Sequence, residues 1–236
     1  MIQTSPTIIA IVPAAGLGRR MKTERPKQYL LIHDKTVLEH TVNKLLRHPK
    51  IAKVIVVLSD KDPYYPHLSI ADNKYVISVL GGKERFESVL SGLTYVRENE
   101  KADWVMVHDA ARPCVNDRDI DKLIKVSLNH QVGGLLASPV RDTMKRANSL
   151  GNIEYTVDRE NLWHALTPQM FRTEQLNTAL NKALSEGVNV TDEASAMEWI
   201  GLSPALVQGS AENIKITQPE DLALAEFYLN QTRDNS

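Results

Sequence analysis

Residues 13–27, PAAGLGRRMKTERPK, set Gly16 and Gly18 among Arg19, Arg20, Lys22, Arg25 and Lys27. Glycines let a backbone approach a ligand closely, and successive N–H groups in such a turn form a nest for an anion. The flanking cations add full charges, so phosphate is the anion this pairing suits. Neither familiar phosphate loop is present. A dinucleotide fingerprint needs Gly or Ala where Met21 stands, and no Gly-Lys-Ser/Thr follows. Arg19 and Lys22 read as solvated surface charges.

Three further constellations have chemical content. VHDAARP, residues 107–113, ends an apolar run on Asp109. A carboxylate there can ligate Mg²⁺ or accept bonds from hydroxyls; it can equally cap its loop or pair with Arg112. GGKERFESV, residues 81–89, offers the backbones of Gly81 and Gly82 and the Ser88 hydroxyl to a nucleobase edge, although an ordinary strand-to-helix turn has the same pattern. PVRDTMKRA and TVDRENLWHALTPQ bring Arg141, Thr143, Lys145, Arg159 and Thr167 near one another if they form a hairpin. That grouping suits a second, smaller phosphate, or else a solvated hairpin face. Lys215, between Ile214 and Ile216, reads as an edge charge of a strand or as a ligand contact. His108 and His164 lack metal-ligand spacing, which argues against zinc. Cys114, the single cysteine, has no histidine partner to make it a nucleophile.

These residues need a frame. TIIAIVPAA, AKVIVVLS, KYVISVL and DWVMVHDAARP read as buried strands. They alternate with the helical segments TVLEHTVNKLLRHP, RFESVLSGLTYVRE and DRDIDKLIKVSLNH. Continuous apolar strands between helices predict a mostly parallel α/β sheet covered on both faces, whose ligands lie at the carboxyl ends of the strands. GGLLASPVRDTMKRA and GNIEYTVDRENLWHALTPQMF then predict a long hairpin, turning at Gly151-Asn152 and partly outside the sheet. An isolated hairpin is marginal, so it is expected to pack on a second subunit. Two helices, the strands ALVQG and NIKIT, and a helix opening at Pro219 complete the chain.

The 236 residues fit one domain. A net charge of −1 gives no reason to expect a nucleic-acid or membrane partner. No apolar segment approaches the ~20 residues needed to span a bilayer, the N-terminus lacks a basic signal region, and a lone cysteine suits a reducing compartment. The expected location is the cytoplasm.

The ordered set PAAGLGRRM…PKQYL, GGKERFESV, VHDAARP, PVRDTMK, LWHALTPQ, TDEASAME and NIKITQPEDLALAE resembles the 2-C-methyl-D-erythritol 4-phosphate cytidylyltransferases from about residue 8 to about residue 228. The first motif alone is shared loosely with many sugar-phosphate nucleotidyltransferases; the set in this order is specific, and is most like the single-function bacterial form. The resemblance implies a Rossmann-like nucleotidyltransferase fold, a single domain over 1–236 with a β-arm at about 138–162, a homodimer joined through that arm, and dependence on Mg²⁺ or another divalent cation. It implies transfer of a cytidylyl group from CTP to 2-C-methyl-D-erythritol 4-phosphate, with release of pyrophosphate, on the non-mevalonate route to isoprenoid precursors. It places Arg20 and Lys27 on the CTP phosphates. Arg159, Lys215, Thr143 and Thr167 fall to the acceptor, with Thr143 and Arg159 coming from the partner's arm, and Thr191 is a further substrate-binding residue. Asp109, Ala110 and Arg112 fall to the same site, Asp109 touching either metal or substrate hydroxyls while the CTP phosphates hold most of the metal. Pro13, Ala14, Ala15, Gly16, Gly18, Gly82 and Ser88 fall to the cytidine pocket. Lys83 stands where some relatives carry an acid, which leaves base recognition to the Gly82 backbone. Two alternatives differ in substrate or in class: a ribitol 5-phosphate cytidylyltransferase, and a non-catalytic nucleotide-binding regulatory protein.

Overall fold

The computed structural model describes residues 6–16 and 25–234, with side chains through 231. In chain order the elements are β1 (Ile8–Pro13), β2 (Leu31–Ile32), β3 (Lys35–Thr36), α1 (Val37–Arg47), β4 (Ile51–Leu58), β5 (Val76–Leu80), α2 (Arg85–Asn99), β6 (Trp104–Val107) and α3 (Asp117–Asn129). Then follow β7 (Gly133–Pro139), β8 (Met144–Ala147), β9 (Ile153–Val157), β10 (Trp163–Arg172), α4 (Thr173–Ser185), α5 (Glu193–Trp199), β11 (Ala205–Gln208) and α6 (Pro219–Asp234).

A seven-stranded sheet runs in the order β11-β7-β10-β6-β1-β4-β5. Every pairing in it is parallel except the two made by β10. This is the mostly parallel sheet that the apolar runs predict. Side-chain alternation along β1 splits the core between its faces. Ile8, Ala10 and Val12 pack with Leu38, Val42 and Leu45 of α1 and Ile120 and Leu123 of α3. Ile9 and Ile11 pack with Val89, Leu93 and Val96 of α2 and Leu176 and Leu180 of α4. Each fully buried isoleucine contributes about 2 kcal/mol relative to an exposed one.

Local signals fix the helix starts. Thr36 and Glu39 close a capping box on α1: the Thr36 hydroxyl accepts from Glu39 N at 3.2 Å, and Thr36 N donates to Glu39 Oε2 at 2.9 Å. Asp192 caps α5 by accepting from Ser195 N at 2.9 Å.

Two expectations change. Residues 213–217 form no strand. Ile216 N donates to Ala111 O at 2.9 Å, so the segment lies as a loop on the turn after β6. The sheet has no room for it there, because both edges of β6 are already taken by β1 and β10. The hairpin, in turn, is two ladders rather than one. β7 and β10 pair within the sheet as far as Pro139 and Trp163. β8 and β9 then form a separate two-stranded arm, from Met144 opposite Val157 to the Asn148–Asn152 turn. Leu150, Ile153 and Tyr155 on this arm are 83%, 66% and 52% exposed.

Candidate active site

β1 and β6 run side by side in parallel, Ile11 opposite Val107, and β1 continues to Pro13. β1 ends on Pro13 and leads into Ala14, Ala15 and Gly16; beyond β6 comes Asp109; beyond β5 comes the turn into α2. These ends bound a cavity of about 170 Å³, whose walls bring together Pro13, Ala14, Ala15, Gly16, Lys27, Gly82, Ser88, Asp109, Ala110 and Lys215. All ten were singled out in the sequence or by its resemblance. The turn approaches β1 so closely that a Cβ on Gly81 would stand 2.7 Å from Ser88 Oγ and 3.0 Å from Ala15 Cβ. Gln28, which the sequence reading passed over, is buried and donates to Ala14 O at 2.8 Å and to Gly16 O at 3.0 Å. It fastens the first loop by two carbonyls. A lone amide side chain after Lys27 was the signal available.

Asp109 is the electrostatic centre. Its Oδ1 accepts from Arg85 Nε at 3.1 Å, and Arg85 Nη2 lies 3.1 Å from the same oxygen. Its Oδ2 lies 2.9 Å from Lys215 Nζ and 3.5 Å from Arg112 Nε. Burial by itself would push this carboxyl up, but Arg85, Lys215 and Arg112 outweigh burial and hold it far below the usual carboxylate range. Arg85 also forks onto Glu193, Nη1 donating to Oε1 at 2.6 Å and Nη2 to Oε2 at 3.2 Å. Arg112 Nη1 donates to Asn213 O at 2.7 Å. Lys27 Nζ donates to Ile216 O at 2.9 Å, so Lys27 is tied to the loop at residues 213–217, and that loop carries Lys215 to Asp109.

Under Asp109 lies a neutral histidine. His108 Nε2 is 3.0 Å from Arg112 O, and a carbonyl can only accept, so the proton is on Nε2. Nδ1 then accepts from the Thr167 hydroxyl at 3.0 Å, while that hydroxyl oxygen accepts from Asp109 N, also at 3.0 Å. Burial lowers the His108 pKa to about 4. Asn213 Nδ2 donates to Thr167 O at 2.7 Å and completes the support. Cys114 is buried and its thiol is pushed up to about 12, which leaves it a poor nucleophile.

The remaining expected residues lie elsewhere. Gly18 and Arg20 fall outside the described residues. Thr143 and Arg159 are exposed on the arm, where Arg159 Nη1 donates to Arg141 O and Lys145 Nζ donates to Thr156 Oγ1 at 2.6 Å. Thr167 is not with them: β10 carries it back into the sheet, against His108. Thr191 is exposed at the cap of α5, its N bonded to Ser195 Oγ at 3.2 Å. Among the described residues no three His, Cys, Asp or Glu side chains gather as a metal site. Asp109 offers the oxygen donors a hard cation prefers, but cations of the protein engage both oxygens. These side chains do not build a cage for a resident metal. No helix among the described residues is long and apolar enough to cross a membrane.

Glycine turns and buried charge at the carboxyl ends of a mostly parallel sheet are the frame of a nucleotidyltransferase. The family model for 2-C-methyl-D-erythritol 4-phosphate cytidylyltransferase matches residues 8–231. The Vibrio parahaemolyticus protein of that name is 70% identical over 225 residues, 95% of this chain and 96% of that one. The Salmonella paratyphi B protein is 55% identical over 233 residues, 98% of each. A crystal structure of 4-diphosphocytidyl-2C-methyl-D-erythritol synthase superposes with a TM-score of 0.83 at 38% identity, covering 95% of this chain and 99% of the other. The Francisella tularensis enzyme gives 0.81 at 35% identity, covering 94% and 99%. The chain belongs to the 2-C-methyl-D-erythritol 4-phosphate cytidylyltransferase family. The resemblance drawn from the ordered motifs is borne out.

Proposed function

We propose that the cavity at the ends of β1, β5 and β6 is where CTP and 2-C-methyl-D-erythritol 4-phosphate meet. The chain is a CTP:2-C-methyl-D-erythritol 4-phosphate cytidylyltransferase of isoprenoid precursor synthesis. An oxygen of the acceptor phosphate attacks the α-phosphorus of CTP. The bond from that phosphorus to the bridging oxygen of the β-phosphate breaks, and pyrophosphate leaves with the electron pair. The acceptor phosphate is anionic at neutral pH, so neither a protein nucleophile nor a strong base is needed.

The work left to the protein is placement and charge neutralisation. Lys27 and Lys215, two of the three lysines that line the cavity, meet the phosphates, with Arg20 added from the basic loop. Gly82, Ser88 and the Pro13–Gly16 turn, with Gly18, hold the cytidine. Asp109 and Ala110 face the same space, and Thr167 and Arg112 serve it by fixing the Asp109 loop. Thr191 contributes from the start of α5. Mg²⁺, or another divalent cation, would ride mainly on triphosphate oxygens and spread their charge. The unit is a single nucleotidyltransferase domain over 1–236 acting as a homodimer. The arm at about 138–162, with Leu150, Ile153 and Tyr155 exposed on it, brings Thr143 and Arg159 to the partner's site. A buried, reduced Cys114 suits work in the cytoplasm.

The observation that carries this reading is the Asp109–Lys215 contact beside the two glycine turns. The test is pyrophosphate release with Mg²⁺, offering CTP, UTP, ATP or GTP against 2-C-methyl-D-erythritol 4-phosphate or ribitol 5-phosphate. Release is expected only from CTP with methylerythritol phosphate. Release from ribitol 5-phosphate alone would overturn the acceptor assignment, and CTP binding without any release would overturn catalysis.

A further inference from the structure

Arg85 and Glu193 are charged, central to the site and given no role by the reading so far. Arg85 opens α2 between the two residues assigned to cytidine, Gly82 and Ser88. Glu193 opens α5 beside Thr191 and is 1% exposed. One guanidinium serves two carboxylates. Nη1 and Nη2 hold Glu193 at 2.6 and 3.2 Å, and Nε reaches Asp109 Oδ1 at 3.1 Å. Asp109 Oδ2 then faces Lys215 Nζ at 2.9 Å, with Arg112 Nε more distant at 3.5 Å. Lys215 is 39% exposed, and its long stem is free to sample many rotamers unless something holds the ammonium.

We propose that Arg85 and Glu193 are positioning residues for the Asp109–Lys215 pair. Glu193 orients the guanidinium, the guanidinium fixes the plane of the Asp109 carboxylate, and the fixed carboxylate presents Lys215 to the cavity. The inference rests on the proposed role of Lys215 at the substrate phosphates. Only arginine suits the middle position, because its planar fork binds two carboxylates together while a lysine ammonium is a single point charge. The charges also favour an anionic ligand: Arg85, Arg112 and Lys215 face Asp109 and Glu193, leaving one positive charge in excess.

A buried ion pair can also be purely structural, and a double-mutant cycle separates the two roles. The variants are Arg85→Lys, Lys215→Gln and their combination, each measured for kcat, for KM of both substrates and for melting temperature. If Arg85 acts through Lys215, Arg85→Lys lowers kcat about tenfold or more in the native background, with KM for CTP within about threefold. In the Lys215→Gln background the same change costs less than about twofold. Equal fractional losses in both backgrounds, native kcat in Arg85→Lys, or a loss confined to KM for CTP would each overturn the inference while leaving Lys215 its role. Native kcat in Lys215→Gln would overturn that role and the inference together. Should Arg85→Lys fail to fold, Glu193→Gln, which keeps the side-chain volume, replaces it in the same cycle with the same expectations.

Discussion

Charge is buried at this site, and each residue there answers for how that is tolerated. Asp109 remains ionised because three cations surround it; removing one would leave a carboxylate in a costly place rather than merely delete a contact. His108 answers in the other way, by staying neutral. Its folded pKa of about 4 lies below the ~6.5 of an unfolded histidine. Between those values the unfolded chain binds a proton that the folded ring refuses. The stability involved is therefore present above about pH 6.5 and is lost as the pH falls toward 4, to the extent of about 3 kcal/mol. Melting temperature should fall over that interval. His108→Gln, which keeps a donor for Arg112 O, should flatten the fall, and an identical slope in the variant would clear His108 of the effect.

Elements meet at close quarters, and α2 shows how tightly. A Cβ on Gly92 would stand 2.7 Å from Ile11 Cγ2 and 3.3 Å from Val57 Cγ2, so α2 lies directly on β1 and β4. In an open helix, Gly→Ala gains about 1 kcal/mol. Here Gly92→Ala should instead cost about 1–3 kcal/mol, because α2 must lift from the sheet. A lower urea midpoint is the expected result, and a raised one would mean that the helix shifts freely. Since α2 carries Arg85 and Ser88, kcat/KM should fall with it. The same elements show what the chain reveals unaided. β1, β4 and β6 were legible because each is a continuous apolar run, rich in Ile and Val in β1 and β4, that suits a strand buried on both faces. Asp109, Lys215 and the glycine turns were legible because type and neighbourhood coincide within a few residues. Residues 213–217 have the composition of a strand, yet whether a neighbouring edge is free depends on where β10 goes. Arg85 and Glu193 were opaque for a related reason: their contact spans 108 residues of sequence, and nothing local distinguishes them from surface charges.

Over the whole molecule the arm stands apart. It pairs only with itself once the β7–β10 ladder closes, and among the described residues nothing else in its own chain covers Leu150, Ile153 or Tyr155. A partner subunit that receives it would gain Arg159 at its own site. Mixed dimers built from an Arg20→Ala protomer and an Arg159→Ala protomer should then recover activity, because one of their two sites keeps both residues. Verified mixed dimers that stay inactive would show that the arm is not shared between protomers. Finally, the order in which the charges around Asp109 are made has its own meaning. Arg85, Asp109 and Arg112 leave the ribosome first, Glu193 long afterwards and Lys215 later still. The half-sheet of β5, β4, β1 and β6 can assemble while β10 and the loop of Lys215 are still being synthesised. A growing chain can thus hold Asp109 between two arginines well before the lysine that completes its surroundings has been made.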